Sequence, residues 1–279
     1  IKSRQEIDIG VKLKRGINLK MPIVASPMDT VSEAAMATAM DGHGAMAIIH
    51  RYNTPAEQFA MATKIREMNP GANFGVAVGV SADYAMRLKL AKQARVKLIC
   101  FDVAHGHHSL TRYALQTLRR TLGHDVHIMA GNVATLGAFN DLADWGANSI
   151  RVGIGGGSIC STRIKTGHGM PTLQSILDCS ASDRDAKLIA DGGIRTSGDI
   201  VKALAAGADF VMLGSLLAGT EESPGETIFD KGGKRKVYRG MASKDAQMDW
   251  RGHTASEEGV SSTVPYKGDV KDVLASLEK

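Results

Sequence analysis

The chain has 279 residues, of which 43% are apolar and 23% are charged, and its formal net charge is +5. These values are typical of a soluble globular protein with one large hydrophobic core or two small ones. Lysines and arginines are scattered among acidic residues rather than gathered into one stripe, so we expect no nucleic-acid partner. The first ten residues lack the apolar stretch of a signal peptide, and no run approaches the roughly 18 apolar residues of a membrane span. Three cysteines are too few for a disulfide framework in a chain of this length, which favours a reducing, cytoplasmic location.

Eight short apolar or β-branched runs predict buried strands. In chain order they are PIVAS (22–26), AMAIIH (45–50), GVAVGV (75–80), LICFDV (98–103), HIMAGN (127–132), SIRVGI (149–154), LIADGG (188–193) and FVMLGS (210–215). Segments with helical periodicity separate most of these runs, among them PAEQFAMATKIREM (55–68) and SLTRYALQTLRRTL (109–122). Strands that are apolar throughout and alternate with helices indicate a parallel sheet.

Eight such units within about 200 residues favour an α/β fold of the closed (β/α)8 TIM-barrel type, as one domain over residues 1–279. An open doubly wound sheet is the other candidate, but the connection after its first strand would carry a glycine fingerprint. Here that connection reads SPMDTVSE, which is not such a fingerprint.

Polar and glycine residues follow seven of the predicted strands. These clusters read SPMD, HRY, DVAHG, GN, GGGSICSTR, DGG and GS in chain order. Active sites of TIM barrels lie at the carboxyl ends of the strands, so we expect the functional residues to meet at this edge. The DGG (191–193) and GS (214–215) clusters end the seventh and eighth strands, where barrels commonly bind a phosphate through backbone amides. This placement predicts a phosphorylated ligand.

The three cysteines lie in different settings. Cys100 falls inside a predicted strand and Cys179 inside a helix-like segment, where a small buried hydrophobe is the expected role. Cys160 instead follows a glycine loop at a strand end, with Arg163 and three hydroxyl side chains beside it: Ser158, Ser161 and Thr162. Backbone amides and a nearby cation stabilise a thiolate, so we predict that Cys160 is a catalytic nucleophile.

The segments VGIGGGSICSTRIKTG, SPMDTVSEAAMA, ADGGIRTSGDIVKALAAGADFVMLGSLLAGTEESPGE and YRGMAS closely resemble the IMP dehydrogenase and GMP reductase family, and the similarity runs over essentially the whole chain. Members of this family are (β/α)8 barrels, usually homotetramers, that act on a purine nucleoside 5′-monophosphate with a nicotinamide cofactor. The resemblance implies that Cys160 attacks C2 of the purine ring. The resulting covalent adduct would exchange hydride with NAD(H) or NADP(H).

The resemblance also implies roles for further residues. Thr162 and Glu258 match a dyad that activates water or protonates a leaving amine, although Glu258 by itself reads as an exposed loop acid. The positions that match the substrate site are Ser158, Asp191, Gly192, Gly193, Gly214, Ser215, Tyr238, Arg239, Gly240, Met241 and Ala242. The positions that match the nicotinamide end of the cofactor site are Asp102, Val103, Ala104, Gly153 and Gly155. The carbonyls of Gly155, Gly157 and Cys160 match ligands of a potassium ion.

Two absences favour the reductase within this family. Dehydrogenases usually carry a pair of regulatory modules after the second strand, whereas residues 51–74 provide only one helix's worth of chain. Dehydrogenases also have a mobile flap with an Arg-Tyr pair, and the matching stretch here, around residues 241–262, is short and lacks that pair. We therefore predict a GMP reductase, which converts GMP and NADPH to IMP, ammonia and NADP.

Other residues favour the alternative, an IMP dehydrogenase that oxidises IMP to XMP with NAD. SPMDTV, AHGHHS, ADGGIRTSGD and TEESPGE resemble dehydrogenase segments, and the lysine of reductases is replaced by Arg51. Trp250 with Arg251, or His253, is a candidate substitute for the Arg-Tyr pair.

Two hypotheses come from other classes of function. The protein could be a catalytically idle barrel that binds purine nucleotides, since a fold alone does not guarantee activity. Cys160, Thr162 and Glu258 argue against this, because a binding protein needs no nucleophile. His105, His107 and His108 raise the possibility of a metal site, but histidines just before an amphipathic helix are more typical of loop and helix-start chemistry.

Overall fold

The computed structural model describes residue 3 and residues 6–278. An antiparallel hairpin, β1 (Val11–Leu13) and β2 (Ile17–Leu19), precedes eight parallel strands that close into a barrel. The barrel strands are β3 (Ile23–Ala25), β4 (Met46–Ile49), β5 (Phe74–Val78), β6 (Leu98–Asp102), β7 (His127–Val133), β8 (Ser149–Val152), β9 (Lys187–Asp191) and β10 (Phe210–Leu213). Neighbours in the barrel follow chain order, and β10 pairs with β3 to close it. The predicted (β/α)8 TIM barrel is confirmed, and each of the eight predicted runs supplies one strand.

Helices connect the barrel strands on the outside. They are α1 (Ala34–Gly42), α2 (Pro55–Met68), α3 (Tyr84–Gln93), α4 (Ser109–Leu122), α5 (Leu136–Asp144), α6 (Thr162–Thr166), α7 (Thr172–Cys179) and α8 (Ser197–Ala205). The bounds of α2 and α4 coincide with the predicted segments. Thr54 and Glu57 form a capping box at the start of α2, which satisfies two backbone donors of the first turn. The connection between β4 and β5 therefore consists of α2 and its flanking loops.

Two hydrophobic layers hold the barrel. The outer layer packs the helices against the strands. The inner layer fills the barrel with alternate strand residues, and the β1–β2 hairpin contributes to it, so this hairpin closes the amino-terminal end of the barrel. The inner layer contains Leu13, Ile17, Leu19, Val24, Met46, Ile48, Ala77, Leu98, Cys100, Met129, Ile189, Phe210 and Met212. Because side chains alternate along a strand, the same inward face continues at the carboxyl ends into polar residues.

A second, three-stranded antiparallel sheet follows the barrel. It consists of β11 (Thr227–Asp230), β12 (Gly233–Arg239) and β13 (Ser261–Pro265), with α9 (Lys244–Arg251) between β12 and β13. The region expected to be a flap, around residues 241–262, corresponds to this β12–β13 connection. A last helix, α10 (Val270–Glu278), packs against α1 and α8. Within the described part of the chain, none of the helices is both long and apolar enough to cross a membrane.

Candidate active site

The three cysteines differ in accessibility as the sequence predicts. Cys100 and Cys179 are 0% and 1% exposed, whereas Cys160 is partly exposed in the loop after β8. Burial raises the pKa of the Cys100 thiol to about 12 and that of the Cys179 thiol to about 12. Both are therefore protonated at neutral pH, and Cys160 is the thiol that a ligand at the barrel mouth can reach.

Cys160, Thr162 and Glu258 form one hydrogen-bonded chain. The Cys160 thiol donates to Oγ1 of Thr162 over 3.3 Å, and the Thr162 hydroxyl donates to Oε2 of Glu258 over 2.8 Å. Ser256 donates to the other carboxylate oxygen of Glu258 over 3.2 Å. The structure thus brings together a nucleophile, a hydroxyl and a carboxylate that lie 96 residues apart in sequence between Thr162 and Glu258. This arrangement can pass a proton from a group near Cys160 to a carboxylate.

Backbone contacts hold the Glu258 segment against the cysteine loop. The Ser161 amide donates to the Glu258 carbonyl over 2.9 Å, and the Val260 amide donates to the Ile159 carbonyl over 3.0 Å. Cys160 and Gly259 form an isolated antiparallel bridge between the two segments. The side chain of Glu258 therefore reaches Thr162 because its backbone is paired with the loop that carries the nucleophile.

Glycines allow the cysteine loop to pack against the loop after β9. Gly192 has φ of +95°, and a Cβ there would lie 3.0 Å from the Gly157 nitrogen. Gly155 has φ of +81°, and a Cβ there would lie 2.6 Å from Cγ of Arg163. Larger residues would be strained at both positions, and a side chain at residue 192 would separate the two loops. The glycines thus bring the backbone of the DGG loop, with Gly192 and Gly193, next to that of the cysteine loop.

A third polar group of residues surrounds Gly214, at the end of β10. A Cβ at Gly214 would lie 2.7 Å from the Tyr238 hydroxyl and 3.2 Å from Oγ of Ser26. Burial raises the pKa of Tyr238 to about 12, against the opposing effect of a hydrogen bond with the Ser158 side chain, so the Tyr238 hydroxyl stays protonated and can donate. The Ser26 hydroxyl is buried and has no hydrogen-bond partner among the described residues. An unpaired buried hydroxyl beside exposed backbone is a suitable contact for a polar ligand such as a phosphate.

An ion-pair network links strands β6, β8 and β9 at the barrel mouth. Arg151 donates to Oδ1 of Asp102 over 2.6 Å and to Oδ2 of Asp191 over 2.9 Å. Arg51 donates to the other Asp102 oxygen over 3.3 Å. Burial alone would raise the pKa of Asp102, but the attraction of Arg151 and Arg51 outweighs it and holds that pKa below its usual value. Asp102 is therefore a fixed carboxylate.

Gly131 makes this network possible. Asp102, Gly131 and Arg151 lie side by side on β6, β7 and β8. A Cβ on Gly131 would lie 2.5 Å from Cβ of Arg151, so only a glycine lets the arginine cross β7 to reach Asp102. Arg151 could not be predicted from the sequence, because a cation that faces the inside of a barrel strand shows the same pattern there as one that faces solvent.

Several residues expected at the substrate site have side chains that are hydrogen-bonded or ion-paired to other residues of the protein. Arg239 donates to Asp29 over 2.7 Å and pairs with Asp249 on α9. Oδ2 of Asp191 accepts from both Arg151 and Asn132, with Asn132 at 2.8 Å. The segment from Gly240 to Ala242 lies next to the segment that carries Glu258, since the Gly240 amide donates to the Val260 carbonyl. Met241 contacts the Asp29 amide through its sulfur. This segment can therefore meet a ligand mainly through its backbone, and Ser215 continues the same edge after Gly214.

The histidine cluster has structural roles. His108 caps the start of α4, where its Nδ1 accepts from the Leu110 amide over 3.1 Å. His107 stacks on Trp145 and pairs with Asp141 over 2.7 Å. Within residue 3 and residues 6–278, no group of three or more His, Cys, Asp or Glu side chains is arranged to hold a metal ion. The hypothesis of loop and helix-start chemistry agrees with these contacts.

These groups define a class of protein: a (β/α)8 barrel with a cysteine, a hydroxyl–carboxylate pair and glycine loops at the carboxyl ends of its strands. The chain matches the sequence model of the IMP dehydrogenase / GMP reductase domain over residues 2–279, and it belongs to this family.

Similar curated proteins are named inosine-5′-monophosphate dehydrogenase. The chain is 46% identical to that of Halalkalibacterium halodurans over 213 residues, which is 73% of this chain and 44% of that protein. It is 45% identical to that of Bacillus subtilis over 213 residues, 73% of this chain and 43% of that protein. It is 36% identical to that of Cryptosporidium parvum over an alignment of 326 positions, gaps included, which covers 98% of this chain and 80% of that protein. The chain thus spans less than half the length of the two bacterial relatives.

Proposed function

We propose that this chain is the catalytic barrel of an IMP dehydrogenase, which oxidises IMP to XMP with NAD. The observation that carries the proposal is the hydrogen-bonded chain from Cys160 through Thr162 to Glu258, because it joins a nucleophile to a proton acceptor in one site. The names of the similar proteins support a dehydrogenase. They favour it over the GMP reductase that the sequence alone suggested.

In the proposed reaction the Cys160 thiol adds across the C2=N3 bond of IMP, so that its sulfur bonds C2 and its proton passes to N3, and the hydrogen on C2 then leaves with its electron pair as hydride. NAD, when bound, supplies the two-electron acceptor for this hydride. Water then attacks C2, and the C–S bond breaks to return the thiolate and release XMP. Thr162 and Glu258 would take the proton of the attacking water, since the Thr162 hydroxyl already donates to the Glu258 carboxylate.

The residues at the ends of β6 to β8 fit a nicotinamide ring. Val103 is half-buried and Ala104 is exposed, directly after the fixed carboxylate of Asp102. Apolar surface beside a held charge suits a flat, polar ring. Asp102, Val103, Ala104, Gly153 and Gly155 would hold NAD(H), or NADP(H) in a reductase. Holding two rings in register contributes about 7 to 11 kcal/mol to such transfers.

The phosphate and ribose of the nucleotide would lie on the opposite side of Cys160. Backbone of Gly192, Gly193 and Gly214 surrounds that side, together with the Tyr238 and Ser158 hydroxyls. Asp191 would accept from the ribose through Oδ1, because its bonds to Arg151 and Asn132 both end on Oδ2. The proposal also includes a homotetramer, which the family resemblance supports, and a cytoplasmic location, which the small number of cysteines favours.

The loop from Gly155 to Cys160 fits a monovalent cation. Carbonyl oxygens are neutral donors of the kind that bind potassium, and the Gly157 carbonyl already accepts the Cys160 amide over 3.1 Å, which folds the loop into a tight turn. Gly155, Gly157 and Cys160 would hold the ion through their carbonyls.

We predict that replacing sodium by potassium at constant ionic strength raises the steady-state rate. Selectivity of carbonyl sites depends on their geometry and not on net charge, so the two ions should differ although both are monovalent. The measurement is a titration of activity with each chloride salt, with tetramethylammonium chloride as the control for ionic strength. Equal rates in potassium and sodium would remove the ion from the mechanism.

One observation favours GMP reductase as a second candidate. The β12–β13 connection is short and lacks an Arg-Tyr pair. In its place Trp250 packs edge-to-face on Tyr52 at 5.1 Å, and Arg51 lies 5.8 Å from the Trp250 ring. Arg51, in turn, pairs with Asp102. A reductase would use the same Cys160 adduct but needs no hydrolytic water.

The deciding experiment supplies purified protein with IMP and NAD, and separately with GMP and NADPH, and follows absorbance of the reduced nicotinamide. We expect reduced cofactor to form with IMP and none to be consumed with GMP. Consumption with GMP alone would establish the reductase instead. Tight binding of IMP or GMP without turnover of either pair would establish a nucleotide-binding barrel that is catalytically idle.

A further inference from the structure

Gln247 lies on α9 and is 4% exposed. Its side-chain amide donates to the Ala242 carbonyl over 2.9 Å and to the Ser256 carbonyl over 3.0 Å, and its oxygen accepts from the Ala255 amide over 2.8 Å. One buried side chain thus joins three parts of the protein: the end of the Gly240–Ala242 segment, helix α9, and the irregular segment that leads to Glu258.

These bonds do not serve the helix itself. The amino terminus of α9 is capped by Ser243, whose hydroxyl accepts from the Ala246 amide, and Asp245 lies in the first turn. All three bonds of the Gln247 side chain instead reach backbone outside the helix. A buried amide with every bond directed to two other segments is positioned to hold those segments together.

The segment that Gln247 holds has no hydrophobic anchor of its own. Residues 251–257 are all exposed, so burial does not determine the path of the chain before Glu258. Hydrogen bonds must do so, and the Ala242 carbonyl accepts both the Gln247 side chain and the Glu258 amide, the latter over 3.1 Å. The position of the Glu258 backbone is thereby tied to Gln247 through one shared oxygen.

We infer that Gln247 is a positioning residue that keeps the Glu258 carboxylate on Thr162, an inference that rests on the proposed function. Gln247 has no hydrogen bond to Cys160 or Thr162, so it acts through the segments that it bonds: residues 255–258 and the Ala242 carbonyl that also accepts the Glu258 amide. Its loss should impair the step that needs Glu258 while leaving the formation of the Cys160 adduct intact.

The test is Gln247→Glu, which keeps the shape but turns a carboxylate oxygen toward two carbonyl oxygens. Gln247→Ala removes all three bonds without adding charge, so both variants lose the two bonds to the Ala242 and Ser256 carbonyls and should lower the steady-state rate alike. With IMP and NAD we expect the first turnover to produce about one reduced cofactor per active site, as in the parent. The steady-state rate should then fall about 10- to 100-fold, part of what a general acid–base group typically contributes.

Hydrogen exchange supplies a readout that does not depend on activity. The Glu258 amide should exchange faster in both variants and the Ala255 amide in Gln247→Ala, which removes its acceptor, with the barrel strands unchanged. Gln174→Glu is the matched control, because Gln174 is exposed on α7 and bonds only Asp178 of its own helix. It should alter neither rate nor exchange at residues 255–258.

The outcomes separate the two proposals. A parent protein that forms no reduced cofactor from IMP and NAD overturns the proposed function, and exchange at residues 255–258 still decides whether Gln247 holds that segment. An active parent whose Gln247 variants keep the full steady-state rate overturns the inference. Loss of the first turnover together with the steady state also overturns it, since that pattern indicates general damage to the site.

Discussion

Cys160→Ala should reduce turnover of IMP and NAD to the background rate, because no other thiol of the chain can form the adduct. Cys179→Ala is the matched control, since Cys179 is equally a free cysteine but is buried at the carboxyl end of α7, where burial raises the pKa of its thiol to about 12. That variant should cost about 1 kcal/mol of stability, as typical core substitutions do, and leave activity near the parental value.

The covalent bond itself can be measured. Protein quenched during turnover and digested should yield the peptide that contains Cys160 with the mass of a bound purine nucleotide, and the Cys100 and Cys179 peptides should stay unmodified. Burial raises the pKa of Cys100 to about 12, which agrees with this expectation. Equal loss of activity from the alanine substitutions of Cys160 and Cys179 would mean that stability and not chemistry had been measured.

Glu258→Gln should separate the two halves of the reaction. Glutamine can still accept the Thr162 hydroxyl bond but cannot take up a proton, so transfer of hydride from the adduct remains possible while attack by water does not. We expect a rapid burst of about one reduced cofactor per active site with IMP and NAD. The steady-state rate after the burst should be lower by about 100- to 10,000-fold, the usual range for a general base.

The control for this variant is Glu257→Gln, which changes the exposed neighbouring carboxylate and should leave both phases unchanged. A reductase would respond differently, because the amine must leave C2 before hydride arrives. If GMP is the true substrate, Glu258→Gln should suppress consumption of NADPH already in the first turnover. Parental steady-state turnover in Glu258→Gln would show that Glu258 takes no part in the chemistry.

The two absences that favoured GMP reductase do not decide between the reductase and the dehydrogenase. Absence of regulatory modules in the β4–β5 connection concerns control of an enzyme and not the reaction at C2. The missing Arg-Tyr pair bears on water activation, but Trp250 occupies the corresponding connection and packs with Tyr52 and Arg51, and Arg251 lies against the Trp250 ring. The absences therefore weigh less than the similarity to proteins named as dehydrogenases.

Apolar runs and helical periodicity in the sequence were sufficient to predict the barrel. Strands buried on both faces are continuous apolar runs, and α2 and α4 are long enough for periodicity to show their bounds. The five-residue helix α6 and the β11–β12 hairpin escaped prediction, and the eight-residue helix α7 was anticipated only as a helix-like segment around Cys179. A helix of one or two turns has too few residues to show a helical period of apolar side chains. The hairpin is rich in lysine and mostly exposed, so it shows no alternation of apolar and polar residues.

The sequence by itself determined the barrel, the edge of the barrel at which the site lies, and the cysteine that lies in a glycine-rich loop, Cys160. Each of these follows from residues that are adjacent in the chain. Only the tertiary structure decided which distant residues meet there. Arg151 reaches Asp102 because Gly131 leaves the intervening strand open, and Gln247 meets Ser256 because α9 folds back over the exposed segment. Such contacts depend on strand register and on the packing of separate segments, and neither leaves a period or a spacing in the sequence.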